Sequence, residues 1–70
     1  MEVKLYSTRC PKCKVIETKL NNKGIDYQLE LDIDRINEFA KEEGITSAPI
    51  LVVDGEALDF THANTWLNRI

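Results

Sequence analysis

Apolar residues fall along this chain in short runs whose spacing switches between two periods. Val3 and Leu5 alternate with Lys4, the period of a half-buried strand, which predicts β structure over residues 2–7. Val15, Ile16 and Leu20 then recur at helical spacing, which predicts a helix over Pro11–Asn22 with Gly24 just past its end. Residues 27–31 alternate again and read as a second strand. Ile33, Ile36, Phe39 and Ala40 form a helical stripe over residues 34–43, and Gly44 ends it. Ile50–Val53 is an unbroken apolar run of the length of a buried strand. The Asp54-Gly55 pair after it is a strong hairpin signal and returns Glu56–Leu58 as a short fourth strand. Thr61 is the expected cap of a last helix that carries Ala63, Trp66, Leu67 and Ile70 along one face.

The resulting order is β-α-β-α-β-β-α, an α/β pattern. A helix between strands one and two makes them a right-handed parallel unit. The hairpin adds an antiparallel pair, so the sheet is mixed, four-stranded and flanked by three helices. With 70 residues and no repeat, low-complexity tract or linker, residues 1–70 read as a single domain. The apolar share of 43% is that of a chain able to build a core, which argues against disorder.

Charge narrows the partners. A net charge of −3 gives no footprint for nucleic acid or for an anionic membrane. No apolar run approaches membrane-spanning length, and Met1-Glu2 leads straight into a strand with no signal peptide. A cytoplasmic, monomeric protein is expected. Against the overall acidity, Arg9, Lys12 and Lys14 form a basic collar around two cysteines.

Those cysteines, Cys10 and Cys13, are the only two in the chain and stand in Cys10-Pro11-Lys12-Cys13. Pro11 suits a first helical position, where its missing N–H is no loss. Cys10 then falls at the N-cap, facing free backbone N–H groups that favour negative charge and hence the nucleophilic thiolate. Cys13 lies one turn on, at a Cα separation of roughly 5–6 Å that a disulfide can bridge. The spacing supplies an attacking sulfur and a second sulfur to close a reversible disulfide. Zinc is the main rival for such a pair. A structural zinc site takes four ligands, and His62 is the one histidine available. No metal ligand set is therefore assigned within one chain, while a metal or iron–sulfur cluster shared between two copies stays open. A redox-inert adaptor is the third reading, and it has no need of the cysteine pair.

Thr46-Ser47-Ala48-Pro49 leads into the apolar run, and Pro49 cannot donate to a sheet ladder. Taken together, Cys-Pro-Lys-Cys after strand one, Ser-Ala-Pro before strand three and Asp-Gly at the next turn resemble a glutaredoxin-like member of the thioredoxin superfamily, over nearly the whole chain. The resemblance implies a thioredoxin fold with a cis Ala48–Pro49 bond facing the cysteines. It implies Cys10 as attacking thiol, Cys13 as resolving thiol and Pro49 as the residue presenting substrate backbone. Thr8, Arg9, Pro11, Lys12 and Ala48 are the expected neighbours of a bound substrate. It further implies a thiol–disulfide oxidoreductase that works through a Cys10–Cys13 disulfide with no bound cofactor.

Two departures bear on the reductant. Lys12 stands where many glutaredoxins have Tyr, and Leu58-Asp59-Phe60-Thr61-His62-Ala63 lacks the Gly-Gly pair that helps hold glutathione. The tail Asn68-Arg69-Ile70 and the Ala48-Pro49 step are closer to those of the NrdH-type redoxins, which donate electrons to ribonucleotide reductase, while the aromatic-Ser-Gly-Phe-Arg-Pro stretch of that group is absent apart from Phe60. A flavin-dependent thioredoxin reductase is accordingly favoured over glutathione as external reductant, and a protein disulfide, such as that of ribonucleotide reductase, is the expected acceptor. Tyr6 is placed either in the core or beside the cysteines. Trp66 is expected in the core and His62 at an exposed helix start. Asp26 is given no proton-transfer role.

Overall fold

The computed structural model describes residues 2–46 and 48–70. Its elements run β1 (Val3–Tyr6), α1 (Pro11–Asn22), β2 (Gln28–Glu30), α2 (Ile33–Glu43), β3 (Ile50–Val53), β4 (Glu56–Leu58) and α3 (Phe60–Arg69). The sheet order is β2-β1-β3-β4. β1 pairs parallel with β2, bringing Leu5 opposite Leu29, and antiparallel with β3, bringing Leu5 opposite Leu51. The β3–β4 pair is antiparallel. This is the mixed four-stranded sheet with three helices of a thioredoxin fold.

Alternation along β1 divides the two faces. Val3 and Leu5 join Ile16 and Leu20 of α1, Leu51, and Ala63 and Leu67 of α3 in one apolar cluster. Tyr6 points to the other face, where its ring stacks on Phe39 of α2 at 4.4 Å and 5° between planes. That settles Tyr6 as a packing residue of the α2 side. Trp66 is partly buried against the main cluster. α1 and α3 are also joined at their surfaces: Lys19 Nζ donates to Asn64 Oδ1 and, at 3.0 Å, to Asn68 Oδ1.

Helix ends follow local chemistry. At the end of α1, Gly24 N–H donates to the Asn21 carbonyl and Ile25 N–H to that of Leu20. This closure needs a left-handed residue, which Gly24 supplies at φ 67°. The α2 end repeats it, with Gly44 at φ 70°. The N-cap of α2 is Asp32, so the helix starts at Ile33, which is 59% exposed rather than part of the buried stripe. The last helix differs from expectation. Its N-cap is Asp59, whose carboxylate accepts from the His62 N–H at 2.9 Å, and Thr61 lies inside the first turn. Ile70, expected on the buried face, is exposed beyond it. Among the described residues, no helix is long and apolar enough to cross a membrane.

Candidate redox site

The site is assembled at the C-terminal end of β1. From Tyr6 the chain enters a short loop, pinned to β2 by the Ser7 N–H donating to the Glu30 carbonyl at 3.0 Å. Arg9 takes a left-handed φ of 64°, uncommon for a residue with a side chain. Its N–H donates to Ser7 Oγ at 3.1 Å. The loop then delivers Cys10 as the N-cap of α1, in extended backbone, with Pro11 at the first helical position.

Cys10 caps the helix with its sulfur. The Cys13 N–H donates to Cys10 Sγ at 3.3 Å, and the two sulfurs lie 2.6 Å apart as free thiols. Their exposure differs: Cys10 is partly exposed, whereas Cys13 is 0% exposed, closed in by the turn that holds it. Burial pushes the Cys13 thiol up. Hydrogen bonds from the Cys10 thiol, from backbone at Thr8 and Cys10, and from the Ser7 hydroxyl outweigh it and hold Cys13 below the ordinary thiol value. Of the two sulfurs, that of Cys10 is the one a group outside the protein can reach.

The α2–β3 loop forms the opposing wall. The Ala48–Pro49 bond is cis, Pro49 is fully buried, and the Ala48 carbonyl lies 3.9 Å from Cys10 Sγ. Ser47 lies outside the described residues. Beside this wall opens a cleft of about 260 Å³ lined by Lys12, Ile45, Thr46, Ala48, Asp59, Phe60 and Thr61. Lys12 Nζ sits 5.3 Å over the Phe60 ring, joining the start of α1 to the start of α3. A larger cavity of about 430 Å³ lies at the opposite end of the sheet, among Glu2, Lys4, Asp26 and Tyr27, and no cysteine reaches it.

Most residues singled out from the sequence are brought together here. Cys10, Cys13 and Ala48 converge, with Pro49 packed behind. Arg9, Pro11 and Lys12 are exposed around them. Thr8 differs in part: its Oγ1 lies 3.8 Å from Cys13 Sγ, so it faces the inner thiol as well as solvent. Three features were not anticipated. Ser7 is fully buried beneath the cysteines. The Asp59 carboxylate pairs with the His62 ring at 2.7 Å, and hydrogen bonds from the His62 N–H and ring hold it below its ordinary value. The stretch from Ile45 to Thr46 lines the cleft. The Asp59–His62 spacing is a capping signal that was open to reading; the burial of Ser7 had no local signal. Among the described residues, no group of three or more His, Cys, Asp or Glu side chains gathers to hold a metal.

The sequence pattern of the thioredoxin domain family matches residues 1–59. The chain belongs to that family. Its fold is similar to that of the glutaredoxin-like protein NrdH-redoxin from Escherichia coli, at 20% identity and a TM-score of 0.76, over 100% of this chain and 95% of the other. It is also similar to a mutant of the thioredoxin-like protein BC3987, at 22% identity and a TM-score of 0.69, over 83% of this chain and 84% of the other. No curated protein matches the sequence.

Proposed function

We propose that this chain is a small dithiol–disulfide oxidoreductase acting as one domain. The observation that carries the reading is the Cys10 sulfur, partly exposed at a helix N-terminus and 2.6 Å from the buried Cys13 sulfur. The Cys10 thiolate attacks one sulfur of a target disulfide, forming a mixed disulfide and expelling the other target sulfur as thiolate. The Cys13 thiolate then attacks Cys10 Sγ, breaking its bond to the target and expelling the second target thiolate. The target gains two electrons and takes up two protons, and the chain is left with a Cys10–Cys13 disulfide.

Target backbone is met by the Ala48 edge, with Thr8, Arg9, Pro11, Lys12 and Pro49 around it. An extended segment laid beside Ala48 would be read through its main chain, as an added strand is. The acceptor class is a protein disulfide, and the similarity to NrdH-redoxin makes ribonucleotide reductase a candidate. The external reductant is a flavin-dependent thioredoxin reductase in preference to glutathione. Asp59 places a carboxylate on the cleft beside the cysteines, and Phe60 fills space there. Both oppose a tripeptide that carries its own carboxylates. No prosthetic group is needed, and a cytoplasmic monomer meets these requirements.

Coupled assays test this. With insulin as acceptor, NADPH plus thioredoxin reductase should sustain turnover faster than NADPH, glutathione and glutathione reductase at equal redoxin concentration. Failure of both systems to pass electrons through the wild-type chain would count against the function. Faster glutathione-coupled turnover would reverse the choice of reductant alone.

A further inference from the structure

Two non-glycine residues take a left-handed backbone among the described residues: Asp54 at the hairpin turn, and Arg9 at φ 64° in the redox loop. Asp54 stands before Gly55 in a turn that calls for that conformation. Arg9 is not a turn residue by type. Its Cβ makes this backbone costly, and glycine, Asn or Asp would take it more readily. Its side chain is exposed and enters no ion pair among the described residues, so the guanidinium does not hold the loop.

The backbone of Arg9 is held by Ser7. The Arg9 N–H donates to Ser7 Oγ at 3.1 Å, the turn that a serine makes with the backbone two residues on. The Ser7 side chain is fully buried, so water does not readily replace its oxygen. Ser7 is itself tied to the sheet, its N–H donating to the Glu30 carbonyl at 3.0 Å. Thr8 and Arg9 are the two residues between this anchor and Cys10, and the bond from Arg9 to Ser7 closes over both. Cys10 follows in extended backbone, at φ −74° and ψ 165°, and leads into α1. There its sulfur meets the Cys13 N–H at 3.3 Å, and its carbonyl accepts the Lys14 N–H at 3.1 Å.

We infer that Ser7 is a positioning residue that acts on Cys10 through the backbone of Arg9: its buried oxygen latches the loop in the left-handed turn that presents Cys10 Sγ as helix cap and as nucleophile. The inference rests on the oxidoreductase reading. In the step it serves, the Cys10–target bond forms and the target disulfide breaks. The departing target sulfur takes the electron pair and then a proton from water, and Ser7 exchanges no proton. Without the Ser7 oxygen, Arg9 relaxes toward the negative φ that its Cβ favours. The share of chains with Cys10 Sγ at the cap then falls, and the first attack slows in proportion. Arg9→Gly removes the penalty on the left-handed turn and makes the latch dispensable.

The test uses the reduced, full-length chain and the aromatic disulfide dithiobis(nitrobenzoate), whose thiolate is yellow when released. The rate of the first release reports attack by Cys10, and a second release reports attack by Cys13. Ser7→Ala should slow the first release by about fivefold, the scale of one net hydrogen bond. The decisive comparison is a double-mutant cycle. In the Arg9→Gly background the same Ser7→Ala change should slow the first release by less than about twofold, because the turn no longer needs the latch. In the Arg9→Ala background, which removes the guanidinium and keeps the Cβ, the slowing should stay at about fivefold. Lost packing beneath the cysteines would instead slow both backgrounds alike. Arg9→Val leaves Ser7 intact and makes the left-handed turn costlier, so its first release should be slower than that of Arg9→Ala. That comparison stands whether or not Ser7→Ala folds, and thermal melts establish which variants are folded. An unchanged first release in Ser7→Ala, equal slowing in the Arg9→Gly and Arg9→Ala backgrounds, or equal rates for Arg9→Val and Arg9→Ala would overturn the latch. A wild-type chain that gives a single release would overturn the dithiol reading instead, whatever the cycle shows.

Discussion

The N–H of Cys13 donates to the sulfur of Cys10 at 3.3 Å, so the atom that caps α1 is also the more exposed of the two sulfurs. Helix start and proposed reactive centre are one structure. Substitution at Cys10 therefore touches both, and the choice of replacement decides which is read.

Serine is a good N-cap, so Cys10→Ser should keep α1 and the fold while abolishing disulfide reduction. Cys13→Ser should retain the first attack and accumulate a mixed disulfide with the target, visible on a non-reducing gel. Brief iodoacetamide treatment of the reduced wild type at neutral pH should modify Cys10 ahead of the fully buried Cys13. Peptide mapping that finds Cys13 labelled first would reverse the two roles.

Asp59 caps α3 and its carboxyl is held below its ordinary value by His62. A depressed carboxyl stabilises the fold above the unfolded-state value of 3.8, and that contribution is lost as pH falls through the lower folded-state value. Asp59→Ala removes the cap and should cost about 1 kcal/mol, a fall in Tm of several degrees. Melts of the two proteins should differ near neutral pH and converge in strong acid. A gap that widens on acidification would contradict the assignment of the cap.

Asp59→Asn separates charge from capping, because Asn is an equally good N-cap. Stability should change little. Glutathione-coupled turnover should rise by roughly threefold to tenfold, the scale of one unfavourable charge near a solvated site, while reductase-coupled turnover stays close to wild type. Parallel loss in both assays would mean that the charge serves the cleft rather than excludes glutathione.

Phe39 stacks on Tyr6 across the face of the sheet away from the cysteines. Phe39→Ala should lower stability by about 2–3 kcal/mol through lost burial and lost stacking. The folded fraction should still resolve a mixed disulfide at the wild-type rate. Urea melts measure the first, and the two thiolates released in turn from dithiobis(nitrobenzoate) by the reduced chain measure the second.

Elements whose signals are local were legible in the chain. Pro11–Asn22 is bounded by its own proline and glycine, and the Asp54-Gly55 turn has φ of 49° and 86°, as its residue types suggest. The cysteine pair was legible for the same reason: three residues of spacing on a helix fix where two sulfurs meet. What escaped depended on distant partners or on a choice between two neighbouring caps. Either side of β1 can face a helix, so Tyr6 waited on the placement of Phe39. Ile33 has the apolar character of a core residue but stands at the exposed first turn of α2. Asp59 was masked by Thr61, an equally plausible cap two residues on; the His62 N–H and ring choose between them. Ser7 is an ordinary loop residue by type, and only the packing of β1, β2 and α1 buries it.

The most direct measurement is the fate of the two thiols after one round of reaction. Reduced wild-type chain is mixed with insulin, quenched with an alkylating agent, and mapped by mass spectrometry. The mechanism predicts that Cys10 and Cys13 are recovered joined to each other in proportion to the insulin thiols formed. Insulin left oxidised with both cysteines alkylated, or cysteines recovered holding a metal in stoichiometric amount, would contradict it.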